Sequence, residues 1–388
     1  MMLPRRAFLG AELPADDVAF GPTGMTIAGV SRGGMADRAG LVAGDRIVSL
    51  GELPVRDPCE LDVALRAAGG RERVQIAYAH STVKRGKSTT PALTMREVAV
   101  VPLPHEAGAT YGELAVAGAR LRTLVMRAAK ATACVYVIQG IACESIDHAA
   151  TPEAPLAGLV AGWVEAGFDV VRVDKRGVGD SEGERCDRVD FATERADTAA
   201  AYAFAAAHAR ERRVPLVVFG HSVGGVLAPV VAKAAAAIVV YGAPVQRWLA
   251  CLSASVRRQL ELRSAPREVI ELELRKLDDL ARLGELNGRS ALYHVQLDAI
   301  NVEAAWRAIT SPVLVVRGEL DWVVDADDQS RIGELALGGA TIADVPNLDH
   351  LLGWHADRAA SLRDYGIGRF DPSIVTCTAE WIRRTLRT

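Results

Sequence analysis

Two rhythms of apolar and polar residues divide this chain. Before about residue 104 the apolar runs are short. Residues 25–30, 45–50, 73–79 and 95–101 read as brief strands between Gly, Pro and polar turns. Residues 59–69 carry Leu61, Val63, Ala64 and Leu65 at helical spacing, closed by a glycine. This predicts a small, mainly β unit over residues 1–104, with a polar and basic loop from His80 to Pro91 between its last two strands.

Beyond about residue 112 the rhythm lengthens. Strand-length apolar runs at 134–140, 169–174, 215–220, 237–243, 312–318 and 340–346 alternate with helical stretches at 155–167, 192–209, 223–235, about 325–337 and about 372–386. Near-continuous Val and Ile runs suit parallel strands covered on both faces, and the spacing suits βαβ crossovers. Residues 105–388 are therefore expected to form a doubly wound α/β domain, joined to the first unit through the Pro- and Gly-rich stretch 102–112. An interruption at 246–307 places Val269, Leu272, Leu277, Leu280 and Leu283 near helical spacing between charges. That predicts an amphipathic helical cap whose apolar stripe covers a pocket.

Composition narrows the picture. The chain has 388 residues, more than one ordinary core accommodates, with half of them apolar and 24% charged, as in folded globular domains. A net charge of -3 with both signs interspersed gives no electrostatic basis for binding nucleic acid or an anionic membrane. No apolar run reaches about 18 residues, so no membrane-spanning helix is expected. Residues 5–10, "RRAFLG", are similar to a twin-arginine export signature but lack the following apolar stretch, which predicts a cytoplasmic protein. Six cysteines without a CxxC pair or Cys/His cluster predict reduced thiols, with no disulfide frame and no metal site. No cofactor motif is present to read.

The chemistry centres on Gly220-His221-Ser222-Val223-Gly224, placed after a buried strand and before an amphipathic helix. A strand-to-helix turn this tight needs glycine at its flanks and lifts the serine hydroxyl above the sheet at a helix N-terminus. A serine needs a base held by a third group. The loop after strand 312–318 offers Glu319, Asp321, Asp325, Asp327 and Asp328; Asp321 comes three residues after the strand's glycine, whereas the later aspartates suit a helix start. The loop after strand 340–346 offers His350 and, five residues on, His355. The order Ser222, Asp321, His350 is expected to form the triad. Val223 supplies one oxyanion N–H, and Ile141, in the loop after strand 134–140, the other. Cys143 and Glu144, with Asp147 and His148, are candidates for the substrate mouth.

With this elbow and order of residues, positions 112–388 resemble the α/β hydrolases. Gln139-Gly140 stands where that family often has His-Gly, and residues 173–183, "VDKRGVGDSEG", are similar to its Asp-x-Arg-Gly-x-Gly-x-Ser turn, read here as structural. Residues 33–55, "GGMADRAGLVAGDRIVSLGELPV", resemble PDZ domains attached to bacterial proteases. The second resemblance implies a carboxylate-binding loop at Phe8, Leu9 and Gly10 and a peptide C-terminus as ligand by strand addition. The alternative is a unit that only packs on its neighbour.

Together these features predict a serine hydrolase acting on an ester, thioester or amide carbonyl of a small-molecule or carrier-bound acyl substrate. An acyltransferase or cyclase using the same acyl-enzyme is the alternative. A PDZ adaptor with an idle hydrolase scaffold is the other.

Overall fold

The computed structural model describes residues 2–14, 19–80, 92–278 and 284–387. Residues 81–91 of the predicted polar loop and 279–283 of the predicted cap helix lie outside the described residues.

Eight strands build the large sheet: β1 (Ala109–Val116), β2 (Ala119–Met126), β3 (Ala133–Ile138), β4 (Phe168–Val173), β5 (Leu216–His221), β6 (Ala237–Tyr241), β7 (Val313–Gly318) and β8 (Ala340–Val345). Their spatial order is β1-β2-β4-β3-β5-β6-β7-β8. β2 runs antiparallel to β1 and β4, and the pairs from β4 to β8 are parallel. Every residue of β3, β4 and β6 is buried, as strands covered on both faces must be.

Alternate residues feed two cores. Cys134, Tyr136 and Ile138 face the layer formed by helices α2 (Phe191–Arg212) and α3 (Val223–Val231). Ala133, Val135 and Val137 face α1 (Pro155–Glu165) and the C-terminal helix Ser373–Thr385. This is the doubly wound α/β sandwich that the strand–helix alternation predicts. The hairpin β1–β2 was not legible in the sequence. Arg120 and Arg122 interrupt β2, yet Arg122 is buried because Asp180 accepts from its Nε at 3.0 Å.

The predicted insertion folds as helices α4 (Trp248–Leu262), α5 (Arg267–Asp278), α6 (Ala291–Asp298) and α7 (Val302–Arg307), with a short ribbon pairing Glu285–Leu286 and Arg289–Ser290. The N-terminal part of the apolar stripe read from the sequence is exposed. Val269 and Leu272 are 40% and 48% exposed, whereas Ile270 is buried.

The first unit pairs Phe20–Gly21, Gly24–Thr26, Arg46–Leu50, Arg73–Ala79 and Leu93–Ala99 in one sheet around its own core, with the helix Pro58–Ala68 across it. That helix begins at an Asp57 side chain accepting the Glu60 N–H and ends at glycine, as capping chemistry requires. It also carries the contact to the α/β unit. Asp62 accepts the Gly179 N–H at 2.7 Å, Arg66 donates to the Gly179 carbonyl, and Arg185 reaches Asp57 and Glu60. Asp180 is the hub, accepting from Arg5, the Arg6 N–H and Arg122. The twin arginines thus serve as an internal clamp, with Arg5 also paired to Asp147 at 2.7 Å.

One sequence expectation is corrected. Cys143 and Cys186 form a disulfide, with Cα atoms 5.7 Å apart and 43 residues between them in sequence. The expectation of six reduced thiols fails because the pairing depends on where two remote loops meet, which spacing does not encode. Cys59, Cys134, Cys251 and Cys377 are free. Among the described residues no helix is long and apolar enough to cross a membrane.

Candidate active site

Ser222 caps α3 with φ 53° and ψ −120°, a conformation that costs a non-glycine residue energy and persists only where the surroundings enforce it. The surroundings are close backbones. A Cβ on Gly224 would lie 2.1 Å from the Ile138 carbonyl oxygen, and one on Gly220 would lie 2.5 Å from the Gly224 oxygen. β5, α3 and the end of β3 therefore close on one another at a distance only glycine permits. Val223 opens the helix, so its N–H has no intrahelical acceptor.

The Ser222 N–H donates to the Tyr241 carbonyl at 2.9 Å. Gly242 follows with φ +60°, and a Cβ there would lie 2.8 Å from both Cε1 and Nδ1 of His350 and 3.2 Å from Asp321 Oδ2. The segment that holds the serine is flush against the imidazole. His350 Nδ1 lies 3.0 Å from Asp321 Oδ2, and both side chains are buried. Asp321 Oδ1 accepts the N–H groups of Val323 and Val324 at 2.8 and 2.9 Å, which fixes the carboxylate as an acceptor. Nδ1 of His350 is then the donor to Asp321.

His221 adds a support that its place in the elbow motif did not announce. Its Nε2 lies 2.7 Å from the His350 carbonyl oxygen. Burial and the neighbouring His350 push its pKa down to about 3, so the ring is neutral and its Nε2–H donates. The alternative histidine, His355, pairs with Asp349 at 3.1 Å and donates its backbone N–H to Asn347. It braces the loop that carries His350.

The loop after β3 is held by groups the sequence reading missed. Lys175 Nζ donates to the Gly140 carbonyl, and Arg289 Nε donates to the Ile141 carbonyl at 2.9 Å. Glu194 joins the two cations, 3.0 Å from Lys175 and 2.6 Å from Arg289. Burial works against the charge of Glu194, yet Lys175 and Arg289 hold its carboxyl below the usual range. Burial lowers Lys175 to about 8, against the pull of Glu194. Cys143 cannot act as a free thiol, since it is bonded to Cys186; Glu144 is exposed beside it. Asp147 and His148 are buried, and Asp147 is spent on Arg5 and Tyr111.

At the other end of the molecule, the Phe8 N–H donates to the Val101 carbonyl at 2.6 Å. The carbonyls of Phe8, Leu9 and Gly10 accept from Met35, Ala36 and Ser31. One of the N–H groups expected to hold a peptide carboxylate is already used within the fold.

A family model described as serine aminopeptidase, S33, matches residues 154–353, and a PDZ-domain model matches residues 26–77. Among solved structures, DcsB in complex with its substrate analogue is 15% identical, covering 72% of this chain and 100% of its own at a TM-score of 0.50. Est1E from Butyrivibrio proteoclasticus with bound ferulic acid is 15% identical, covering 71% and 99% at 0.48. The esterase domain of a Rhodothermus marinus protein is 18% identical, covering 71% and 98% at 0.45. At that identity the likeness to DcsB speaks to the fold alone. No curated protein matches the chain.

Proposed function

Since the chain belongs to the serine aminopeptidase S33 family of α/β hydrolases, we propose that it is a serine hydrolase cleaving an ester, thioester or amide carbonyl through an acyl-enzyme on Ser222. The observation that carries this reading is a strained Ser222 whose N–H is bonded to Tyr241, next to the Gly242 that lies flush against a buried His350–Asp321 pair.

In this reading His350 Nε2 takes the Ser222 proton as Oγ attacks the carbonyl carbon, and Asp321 steadies the imidazolium through Nδ1–H. The N–H groups of Val223 and Ile141 stabilise the tetrahedral oxyanion. His350 then returns its proton to the departing alcohol, thiol or amine, and water releases the acid by the same steps. The acyl substrate enters past Glu144.

The PDZ-like unit, with its boundary near residue 104, acts through packing. Its helix Pro58–Ala68 spends Asp57, Asp62 and Arg66 on the hydrolase unit, in support of that role. Deleting residues 1–104 is then expected to reduce turnover of free and tethered esters alike.

The test is intact mass after incubation with a fluorophosphonate. The wild type is expected to gain one adduct and Ser222→Ala none. An unlabelled wild type, or a labelled Ser222→Ala, overturns the reading.

A further inference from the structure

We propose that Lys175 is a positioning residue for catalysis: by gripping the Gly140 carbonyl from within the protein it aims the Ile141 N–H at the oxyanion. The inference rests on the reading of Ser222 and Ile141 given above.

The Gly140 carbonyl and the Ile141 N–H belong to one rigid trans peptide unit, so they point in opposite directions. Whatever holds the carbonyl fixes the aim of the N–H. That peptide begins beside the nucleophile, since a Cβ on Gly140 would lie 3.2 Å from Ser222 Cβ. The holder is an ammonium group 9% exposed, reaching from the turn after β4. Arg289, fully buried and drawn from the cap ribbon, holds the next carbonyl, that of Ile141, so two successive peptide units are clamped by cations. Glu194 on α2 neutralises both, and Tyr293 OH donates to the same carboxylate at 3.2 Å.

Without Lys175 the Gly140 carbonyl is left with two options. It stays in place without its partner, at the cost of a lost charge-assisted hydrogen bond, or the peptide rotates and turns an acceptor toward Ser222 where a donor is needed. Either outcome penalises the transition state more than substrate binding. The sequence motif pointed elsewhere: Lys175 occupies the unspecified position of the Asp-x-Arg-Gly-x-Gly-x-Ser turn.

The charged and titratable groups facing Lys175 are Glu194 from α2, Arg289 from the cap, Glu144 from the loop after β3 and His221 from β5. A cavity of about 30 Å³ lined by Lys175, Gln139, Glu194 and Arg289 adjoins the ammonium and gives a longer guanidinium room.

The experiment compares full-length wild type, Lys175→Met and Lys175→Arg. It reads kcat and KM on p-nitrophenyl butyrate and inhibition by phenylboronic acid, which forms a tetrahedral adduct on serine, and by butyrate, which does not. Lys175→Met is expected to lower kcat by about 10²–10³-fold, the loss typical of one oxyanion donor, with KM and butyrate inhibition within about threefold. Boronate inhibition weakens in parallel with kcat, and Lys175→Arg recovers at least about tenfold of the loss.

A second reading uses the wild type against Lys175→Arg. The wild type should lose kcat on the alkaline side of about pH 8 as Lys175 gives up its proton and with it the ion pair to Glu194, leaving a neutral amine's weaker bond to the Gly140 carbonyl, and Lys175→Arg should not, since arginine stays charged. This arm stands if the methionine variant fails to fold.

A Lys175→Met enzyme within threefold of wild-type kcat overturns the proposal. So does a loss shared equally by kcat and butyrate binding, or a pH profile identical in wild type and Lys175→Arg. Failure of the underlying reading shows instead in the wild type, as no fluorophosphonate adduct and no ester turnover, and removes both.

Discussion

The two walls that meet at Ser222 are built from different physics. The elbow wall is set by exclusion: Gly220 and Gly224 allow backbones to approach within distances no Cβ tolerates, and the serine is bent to φ 53° between them. The facing wall, Gly140–Ile141, is set by buried charge, its carbonyls drawn inward by Lys175 and Arg289 over a shared Glu194. Steric walls do not titrate, and their cost lies in the chain that forms them. Electrostatic walls borrow residues from across the molecule and respond to protons.

Glu194→Gln strikes the charge wall hardest, because it leaves two buried cations without their carboxylate. Breaking a buried ion pair by removing one partner costs about 3–5 kcal/mol, a loss that urea unfolding of the variant against wild type would read. Gly224→Ala strikes the other wall. A Cβ 2.1 Å from the Ile138 oxygen forces the elbow and β3 apart, and a displacement near 1 Å at the reacting atoms is expected to cost about 10²-fold in kcat. That loss should be the same at pH 6 and pH 9 in ester assays, as steric damage has no proton to follow.

A third effect separates stability from catalysis. The folded pKa of Lys175, about 8, lies below its ordinary value of 10.5. Below pH 8 folded and unfolded chains both hold the proton, and burying that charge costs stability. Between pH 8 and 10.5 the unfolded chain holds one proton more, so folding stability gains with rising pH from this group. Subtracting the unfolding curve of Lys175→Met from that of wild type should isolate a contribution that rises across this window, while wild-type kcat falls through it.

The difference between the walls also accounts for what the sequence disclosed. The strand–helix alternation was readable in the apolar runs, and Ser222, Asp321 and His350 stood out as candidates because each lies at the end of such a run and a loop after a strand has one place to go. The structure draws Asp321 and His350 to 3.0 Å and sets Gly242, next to the residue that holds Ser222, against them. The glycines of the elbow were readable for the same reason, since a steric need is written locally.

Lys175, Glu194 and Arg289 lie far apart along the chain and carry meaning only after β4, α2 and the cap ribbon converge. The Cys143–Cys186 bridge was misread on the same ground. Arg5 and Arg6 resembled an export signal because a dipeptide does not show that Asp147, Asp180 and Asp62 await it. His221 was noted for its place in the elbow, while its bond to the His350 carbonyl depends on the fold of a loop more than a hundred residues later.

Arg289 bears on how this scaffold tolerates exchange. Insertions at this point of a sheet invite swapping between proteins to alter which substrates enter. Here residues 246–307 contain a side chain that is fully buried, beneath the loop of a different element, holding the Ile141 and Cys186 carbonyls together. A transplant that trades the whole insertion for a foreign one removes a girder along with the door. Grafts that keep Arg289 and Tyr293 and replace only the segment through α4 and α5 respect the joint, and keep the buried ties to the Ile141 and Cys186 carbonyls.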